Sequence, residues 1–123
     1  MPMFKGLFKN TRDKGEHYER LAKSYLQKQG LNYVQSNYYC SYGEIDLIMR
    51  DGNCWVFVEV KYRTSHRFGG ALAALGQAKQ QKLKRSIYHY LGAQQLHNVP
   101  VRVDFIAIEG KNPPNIQWIK SVF

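Results

Sequence analysis

Two stretches of the chain carry apolar residues at helical spacing. The first predicts a helix over roughly residues 12–29, and Gly30 follows at the position where helices commonly end in a left-handed conformation. The second predicts a helix from about Gln77 to Leu91, with Leu83 and Ile87 on one line of its surface. The remaining apolar runs must complete the core as strands.

Five such runs are predicted to be strands: NYVQSNYYC, GEIDLIMR, CWVFVEVKY, VRVDFIAIE and the short IQWI. The second and third are separated by Asp51-Gly52, a strong hairpin signal. The loop RTSHRFGGA precedes the second helix. The predicted order is α-β-β-β-α-β-β, an α/β or α+β domain with a central mixed sheet flanked by helices.

Acidic residues interrupt the two apolar strands of the hairpin. Strand alternation places Ile45 and Leu47 on one face and Asp46 on the other. In the next strand Glu59 and Lys61 share a face, so the antiparallel pairing predicts that Asp46 and Glu59 lie together, with Lys61 beside them. Ionised groups are seldom buried unless they are paired or bind a metal.

Two explanations of this group are open from spacing alone. Two carboxylates suit Mg²⁺, which takes hard oxygen ligands and leaves positions for water and a phosphate oxygen. A lysine beside them can orient the attacking water or offset charge that develops on the phosphate. The alternative is a cross-strand ion pair between glutamate and lysine on the surface of the sheet.

A third carboxylate is predicted to approach from the first helix. At about 100° per residue, Glu19 lies at the edge of the apolar stripe centred near Tyr18, whereas Glu16 points toward solvent. Glu19 is therefore expected to reach the sheet, and Glu16 is not.

Composition adds a strong positive charge to this picture. The chain has 123 residues, a domain-sized length, with 18 Lys and Arg against 9 Asp and Glu and a net charge of +9. Such a charge indicates a polyanionic partner, nucleic acid or an anionic membrane; the alternative is a merely soluble basic protein. We expect residues 1–12 to form a flexible basic tail and residues 13–123 a single domain.

The cysteines and the N-terminus indicate a cytoplasmic protein. Cys40 and Cys54 form no CxxC pair and have no histidine at zinc-finger spacing, which argues against zinc and suits a reducing compartment. No segment has the length and apolarity of a secretory signal or a membrane span. A membrane partner is therefore not expected.

Together these segments resemble a known family. YERLAKSYLQKQG, NYYCSYGEIDLIMRDG, WVFVEVKYRTSHRFGG, AKQQKL and VRVDFIAI, over roughly residues 15–109, resemble the YraN-like family of small bacterial proteins. That family is similar to the PD-(D/E)XK nucleases of the archaeal Holliday-junction-resolvase type. The resemblance implies a restriction-endonuclease-like core and a DNA endonuclease dependent on Mg²⁺ or Mn²⁺. It also implies a branched or structured DNA substrate, a role in repair or recombination, and a homodimer. The alternative is a nucleic-acid-binding protein that keeps the nuclease fold without cutting.

The resemblance assigns roles to individual residues. The motif's first Asp falls on Asp46, its ExK on Glu59 and Lys61, and the helical glutamate of the resolvase-like branch on Glu19. It implies that Asp46, Glu59 and Glu19 hold the metal and that Lys61 completes the catalytic set.

Two departures from the family's pattern are present. Ile45 stands where the motif has its nominal Pro, and Tyr18 stands where many members have Gly, which puts the local packing of the helix in doubt. The resemblance also implies that Gln77 or Lys79 occupies the position on the second helix that supports the site.

The other polar residues have weaker signals. Arg63, His66 and Arg67 lie in the loop after the proposed site, placed either to meet phosphates or simply to be solvated; Gln77 and Lys79 extend this candidate nucleic-acid surface. Asp104 matches a recurrent family position without a chemical role, and an ion pair with Arg102 is one explanation. Four tyrosines are candidates for base stacking or for strand packing: Tyr38, Tyr39, Tyr42 and Tyr62.

Overall fold

A computed structural model describes residues 11–64, 71, 73 and 75–123. Its elements, in chain order, are α1 (Thr11–Lys28), β1 (Asn32–Cys40), β2 (Gly43–Asp51), β3 (Cys54–Arg63), α2 (Gln77–Ala93), β4 (Val101–Glu109) and β5 (Asn115–Ile119). The predicted order α-β-β-β-α-β-β is confirmed. The expected tail, residues 1–12, lies outside the described residues except for its last two, which belong to α1.

The five strands form one mixed sheet in the order β1-β2-β3-β4-β5. Neighbouring strands are antiparallel except β3 and β4, which are parallel and are connected through α2. Successive residues of β3 point to opposite faces, so Val58 packs in the core that contains Leu26 of α1 and Phe57 in the core that contains Leu83 of α2. The fold is therefore α+β, with one helix against each face of a mixed sheet.

Each helix buries one side against the sheet. Within the described part of the chain, no helix has both the length and the apolarity needed to cross a membrane.

The first helix ends as its sequence predicts. Gly30 has a φ of +100°, and its N–H donates to the Gln27 carbonyl at 3.0 Å while the Leu31 N–H donates to the Leu26 carbonyl at 3.1 Å. This pair of bonds is the Schellman arrangement, which satisfies the last carbonyls of α1 and turns the chain into β1.

The predicted hairpin joins β2 and β3 through a two-residue loop. Asp51 pairs with Cys54, and Gly52, the first loop residue, has a φ of +61° that favours glycine. This turn fixes the register of the two strands that carry Asp46 and Glu59.

Asp104 is fully buried on β4, in register with Val58 of β3. Its carboxylate accepts hydrogen bonds from Arg102 Nε at 3.0 and 3.1 Å, from Trp118 Nε1 at 2.9 Å and from the Ser121 N–H at 3.0 Å. Arg102 also donates to Asp51 at 3.0 Å, and its hydrogen bond to Asp104 is the main reason that its pKa is raised. The pairing of Asp104 with Arg102 is thus structural, joining β4 to β5 and to the β2–β3 turn.

We expect Asp104→Ala to lower the free energy of unfolding by about 3–5 kcal/mol, because it leaves the Arg102 guanidinium without its buried partner. Urea titration followed by tryptophan fluorescence measures the loss. The matched control is Asp51→Ala, because the Asp51 side chain bonds the same guanidinium but is 42% exposed. That control should cost about 1 kcal/mol or less. Equal losses in the two variants would contradict the buried role of Asp104.

Candidate functional site

An open groove of about 440 Å³ lies beside α1, where β2 begins and β3 ends. Four carboxylates and three cationic side chains face it, together with two aromatic rings of the strands. Its lining consists of Lys14, Gly15, Glu16, Tyr18, Glu19, Asn37, Tyr39, Glu44, Asp46, Val60, Lys61, Tyr62 and Arg63. The groove therefore brings Glu19 of α1, Asp46 of β2 and Lys61 of β3 to one place, whereas the buried Glu59 is not part of its lining.

Asp46 lies where β2 and β3 stop pairing. The register of these strands runs from the turn only as far as Leu47 opposite Val58. Beyond that point the Val60 N–H donates to Asp46 Oδ2 at 2.9 Å, so a side-chain carboxylate replaces a backbone acceptor. Asp46 is buried, with 6% of its surface exposed, yet it lines the groove. Because β2 and β3 separate here, the Asp46 carboxylate lines the groove instead of being enclosed between the two strands.

The simple alternation predicted for β2 is wrong at this point. Ile45 was expected beside Leu47, but it packs with Ile48 and Phe57 on the α2 side of the sheet, whereas Leu47 packs on the α1 side. Regular alternation requires a regular ladder, and the ladder with β3 has ended before Ile45.

Glu59 is almost fully buried on β3 and is balanced by two lysines. Its Oε1 lies 3.7 Å from Lys61 Nζ and 3.6 Å from Lys79 Nζ, and its side chain is 1% exposed. Among the described residues, neither carboxylate oxygen has a hydrogen-bond partner. Lys79 therefore points toward the sheet, as its line on α2 predicts, while Gln77 is exposed at the start of that helix. The lysines neutralise Glu59 without occupying its lone pairs.

Glu19 of α1 lines the groove together with Asp46, and its charge interacts with that of Glu59. Partial burial raises the pKa of Glu19 to about 7; a hydrogen bond from Asn37 opposes this rise, and the charges of Glu44, Glu16 and Glu59 add to it. The position predicted for Glu19, at the sheet surface, is thus the one observed.

The pKa of Asp46 is also raised well above its usual value. Burial is the main cause, and the nearby charge of Glu59 comes next; the hydrogen bond from Val60 opposes them, and Glu19 adds a further rise. Ionised together, these carboxylates repel one another in a poorly hydrated place. A cation or protons must relieve that repulsion.

Glu16 corrects one prediction from the helical wheel. It was expected to face solvent, but it lines the groove and its charge contributes to the raised pKa of Glu19. The reason is that the groove runs along the flank of α1, so residues three apart on that flank share it. The apolar stripe marks only the side of the helix that packs on the sheet.

Asn37 was not singled out by the sequence. In the register of β1 and β2 it falls between the pairs Ser36–Leu47 and Tyr38–Ile45, opposite Asp46. Its φ of +54° is left-handed, a conformation that asparagine tolerates better than most residues, and its side chain bonds Glu19. An asparagine inside a run of strand-forming residues was the available signal.

The cationic residues at the mouth of the groove include one of the three predicted loop contacts. Arg63 is exposed, lines the groove and donates to the Tyr62 carbonyl at 2.8 Å. The other two, His66 and Arg67, lie outside the described residues. Lys14 Nζ lies 5.1 Å from the centroid of the Tyr62 ring, so a second cation also borders the groove.

Tyr18 has a packing role beside the groove. The Tyr18 ring stacks on Tyr62, with centroids 4.0 Å apart and an angle of 6° between the planes. Burial, followed by the contact with Tyr62, raises the pKa of Tyr18 to about 12, so this phenol stays protonated at neutral pH. The pair forms one wall of the groove.

The chemistry of the donors suits a hard divalent cation. Among the described residues, no three acidic, histidine or cysteine side chains are grouped closely enough to form a complete ligand set. Asp46, Glu59 and Glu19 nevertheless supply carboxylate oxygens, of which those of Glu59 have no hydrogen bond and the other two groups have raised pKa values. Oxygen donors with excess negative charge fit Mg²⁺ or Mn²⁺.

Comparison with known proteins finds relatives along the whole chain. The model of a family described as "Uncharacterised protein family UPF0102" matches residues 18–108. A UPF0102 protein of Pseudoalteromonas translucida is 54% identical over 123 residues, covering 100% of both chains. One of Colwellia psychrerythraea is 49% identical over 120 residues, covering 94% of this chain and 93% of the relative. One of Neisseria gonorrhoeae is 47% identical over 104 residues, covering 85% and 89% respectively.

Proposed function

The chain belongs to the uncharacterised protein family UPF0102, the YraN-like proteins that its sequence resembles, and we propose that it is a metal-dependent DNA endonuclease. One observation carries the proposal. Buried Asp46 and Glu59 stand where two strands separate, beside Lys61 and within electrostatic reach of Glu19. Ordinary packing gives no reason to place Asp46 and Glu19 at the wall of an open groove while their charges interact with that of the buried Glu59.

In this proposal Asp46, Glu59 and Glu19 hold Mg²⁺ or Mn²⁺. The bound cation would polarise the scissile phosphate and lower the pKa of an attacking water. The protein's own part is to keep the carboxylates in place: the Val60 N–H orients Asp46, and Asn37 orients Glu19. Lys79, 3.6 Å from Glu59 and outside the groove lining, acts as a positioning residue.

Lys61 is the residue placed to act on the substrate. Its side chain is 33% exposed, lines the groove and reaches Glu59, so it borders both the carboxylates and the space that a phosphate would enter. An ammonium there offsets charge that develops on the phosphate, or orients the attacking water. Arg63 and Lys14, at the rim, would bind flanking phosphates.

The net charge of +9 supports a nucleic-acid substrate, and the likeness to resolvase-type nucleases favours branched or structured DNA cut by a homodimer. The second candidate function is a nucleic-acid-binding protein that keeps the fold without cutting. The observation that favours it is that no complete ligand set is grouped among the described residues. The two candidates differ in whether the groove performs chemistry.

A cleavage assay tests the proposal. Purified protein is incubated with linear duplex, flapped, single-stranded and four-way DNA in Mg²⁺, Mn²⁺ or EDTA. We expect cleavage that requires the cation and is strongest on a branched substrate. Asp46→Asn, purified in parallel, controls for contaminating nucleases. Binding without cleavage of any substrate in either metal would transfer the assignment to the non-catalytic candidate.

Binding to DNA should weaken steeply with salt and depend little on sequence. Phosphate contacts release counterions, so a site that neutralises several phosphates loses about tenfold or more in affinity between 50 and 200 mM salt. Fluorescence anisotropy with two unrelated duplexes of equal length measures both properties. An affinity that stays flat over this range would contradict an electrostatic interface.

A further inference from the structure

A second surface, which shares no residue with the lining of the groove, combines aromatic rings with a guanidinium. A shallow depression of about 460 Å³ is lined by Tyr42, Arg85, Tyr88 and His89. Tyr42 lies in the turn between β1 and β2, and the other three lie on α2 at positions i, i+3 and i+4, which share one side of a helix. We call these four residues the aromatic surface.

Two rings of the aromatic surface are unusually exposed. Tyr88 is 74% exposed and Tyr42 is 48% exposed. Tyr38 and Tyr90, by contrast, pack against each other edge to face at 5.0 Å between centroids. Fold stability therefore accounts for the inner pair but not for two large rings left in water.

The His89 and Tyr42 rings are held in place by contacts with their neighbours. The Tyr38 hydroxyl and His89 Nδ1 form a hydrogen bond of 2.6 Å, which fixes the imidazole from below. The Tyr42 ring meets that imidazole edge to face at 6.3 Å. The turn that carries Tyr42 is itself packed on α2, because a Cβ at Gly43 would lie 3.6 Å from Ser86 Oγ. Stacking on a fixed ring costs little ordering entropy.

The charge of the aromatic surface selects among ligands. Arg85 is the charged residue of its lining, and α2 as a whole contains four Lys and Arg and no acidic residue. A surface of ring faces with a cation and no carboxylate matches bases joined by phosphates. An apolar protein partner would not need Arg85 beside the rings, or the exposed Lys82 and Lys84 on the same helix.

Its position connects the aromatic surface to the groove. Tyr42 is two residues before Glu44, which lines the groove, and Tyr39 lines the groove on the other side of the same turn. Tyr42 thus lies in the chain between two residues that line the groove, and it lines the depression together with Tyr88.

We propose that the aromatic surface binds the unpaired part of a nucleic acid, with bases stacked on Tyr42 and Tyr88 and a phosphate paired with Arg85. The proposal rests on the proposed nuclease function only in taking DNA as the substrate class. It identifies the residues that would distinguish DNA with unpaired bases from plain duplex. Stacking is sequence-tolerant, because every base has a flat face.

The test compares single-stranded and duplex binding in EDTA, where no cleavage occurs. The probes are a labelled thymidine oligonucleotide and a duplex of the same length. Tyr42→Ala/Tyr88→Ala should bind the oligonucleotide about tenfold or more weaker than the unsubstituted protein, and bind the duplex within about twofold. Tyr42→Phe/Tyr88→Phe keeps the ring faces and should restore oligonucleotide affinity. Tyr33→Ala is the matched control, since Tyr33 is 38% exposed on β1 but lies beneath Lys23 instead.

Each outcome decides the proposal. Unchanged oligonucleotide affinity in the alanine double variant overturns it, as does an equal loss for both probes. If that variant fails to fold, Tyr88→Ala alone, at the more exposed ring, gives the same comparison with a smaller loss. Binding is read separately from cutting. A protein that stacks the oligonucleotide but cuts nothing keeps this proposal and loses the nuclease assignment, whereas one that cuts but shows no stacking loses only this proposal.

Discussion

Lys61→Ala should slow cleavage on the order of a hundredfold or more while leaving the affinity for DNA within a few-fold. The Lys61 ammonium lies 3.7 Å from the Glu59 carboxylate and borders the groove, so it is placed to act on the reacting phosphate. Binding, by contrast, is spread over many of the 18 Lys and Arg residues. A group that acts mainly on the transition state lowers turnover more than ground-state affinity.

The measurement is paired: gel-shift affinity for junction DNA in Ca²⁺, then single-turnover cleavage in Mg²⁺ or Mn²⁺. Lys84→Ala is the matched control, because Lys84 lies on α2 with its ammonium over the Phe123 ring, and it should change neither quantity by more than a few-fold. Lys79→Ala should give an intermediate rate, since Lys79 acts through Glu59. Equal cleavage rates for Lys61→Ala and the unsubstituted protein would remove Lys61 from the catalytic set.

The elements of the fold were predictable because their signals are local. The apolar stripe of α1 and the glycine that ends it lie within one stretch of the chain, and Gly30 has the left-handed φ that its position predicts. The turn at Gly52 is similarly local and fixes the register that brings β2 and β3 together. Helix and strand periodicity therefore sufficed for the order of elements.

The details of the groove depend on where the pairing of β2 with β3 ends, and no local sequence pattern indicates that point. The pairing of β2 with β3 ends at Leu47, and only then does Asp46 accept the Val60 N–H and Ile45 turn to the α2 side. The place of Asn37 opposite Asp46 follows from the register of β1, which is shifted by a bulge near its start. Where a ladder ends is set by packing across the sheet, so spacing alone could not predict the face to which Ile45 turns.

The network at Asp104 shows the same limit. Arg102 lies on β4 beside Asp104, but Ser121 follows β5 in the chain. Asp51, the other partner of Arg102, lies 51 residues before it. The sequence suggested the pair with Arg102 because the two residues are two apart on one strand face. The bond from Trp118 required β5 to be placed beside β4.

Asp46→Asn should abolish metal-dependent cleavage, by on the order of a thousandfold, and yet stabilise the metal-free protein at pH 8. Asparagine keeps an oxygen that can accept the Val60 N–H but removes a buried charge beside Glu59 and Glu19. The pKa of Asp46 is raised in the folded state, so the folded protein holds a proton that the unfolded chain has released. This contribution to stability is present at low pH and is lost as the pH rises through the raised pKa.

The same sign applies to Glu19, whose pKa rises from 4.5 to about 7, so the metal-free protein should lose stability as the pH rises from about 4.5 to above 7. In EDTA at pH 8, Asp46→Asn should raise the free energy of unfolding by on the order of 1 kcal/mol, and the gain should shrink as the pH falls toward 4. Urea titrations at several pH values measure this gain in the free energy of unfolding.

Mg²⁺ should stabilise the unsubstituted protein and not the Asp46→Asn variant, since a ligand stabilises only the state that binds it. Asp51→Asn is the control of opposite sign, because it removes a paired carboxylate rather than a repelled one. If Asp46→Asn were destabilising at pH 8 and still stabilised by Mg²⁺, the carboxylates would be structural and the metal would bind elsewhere.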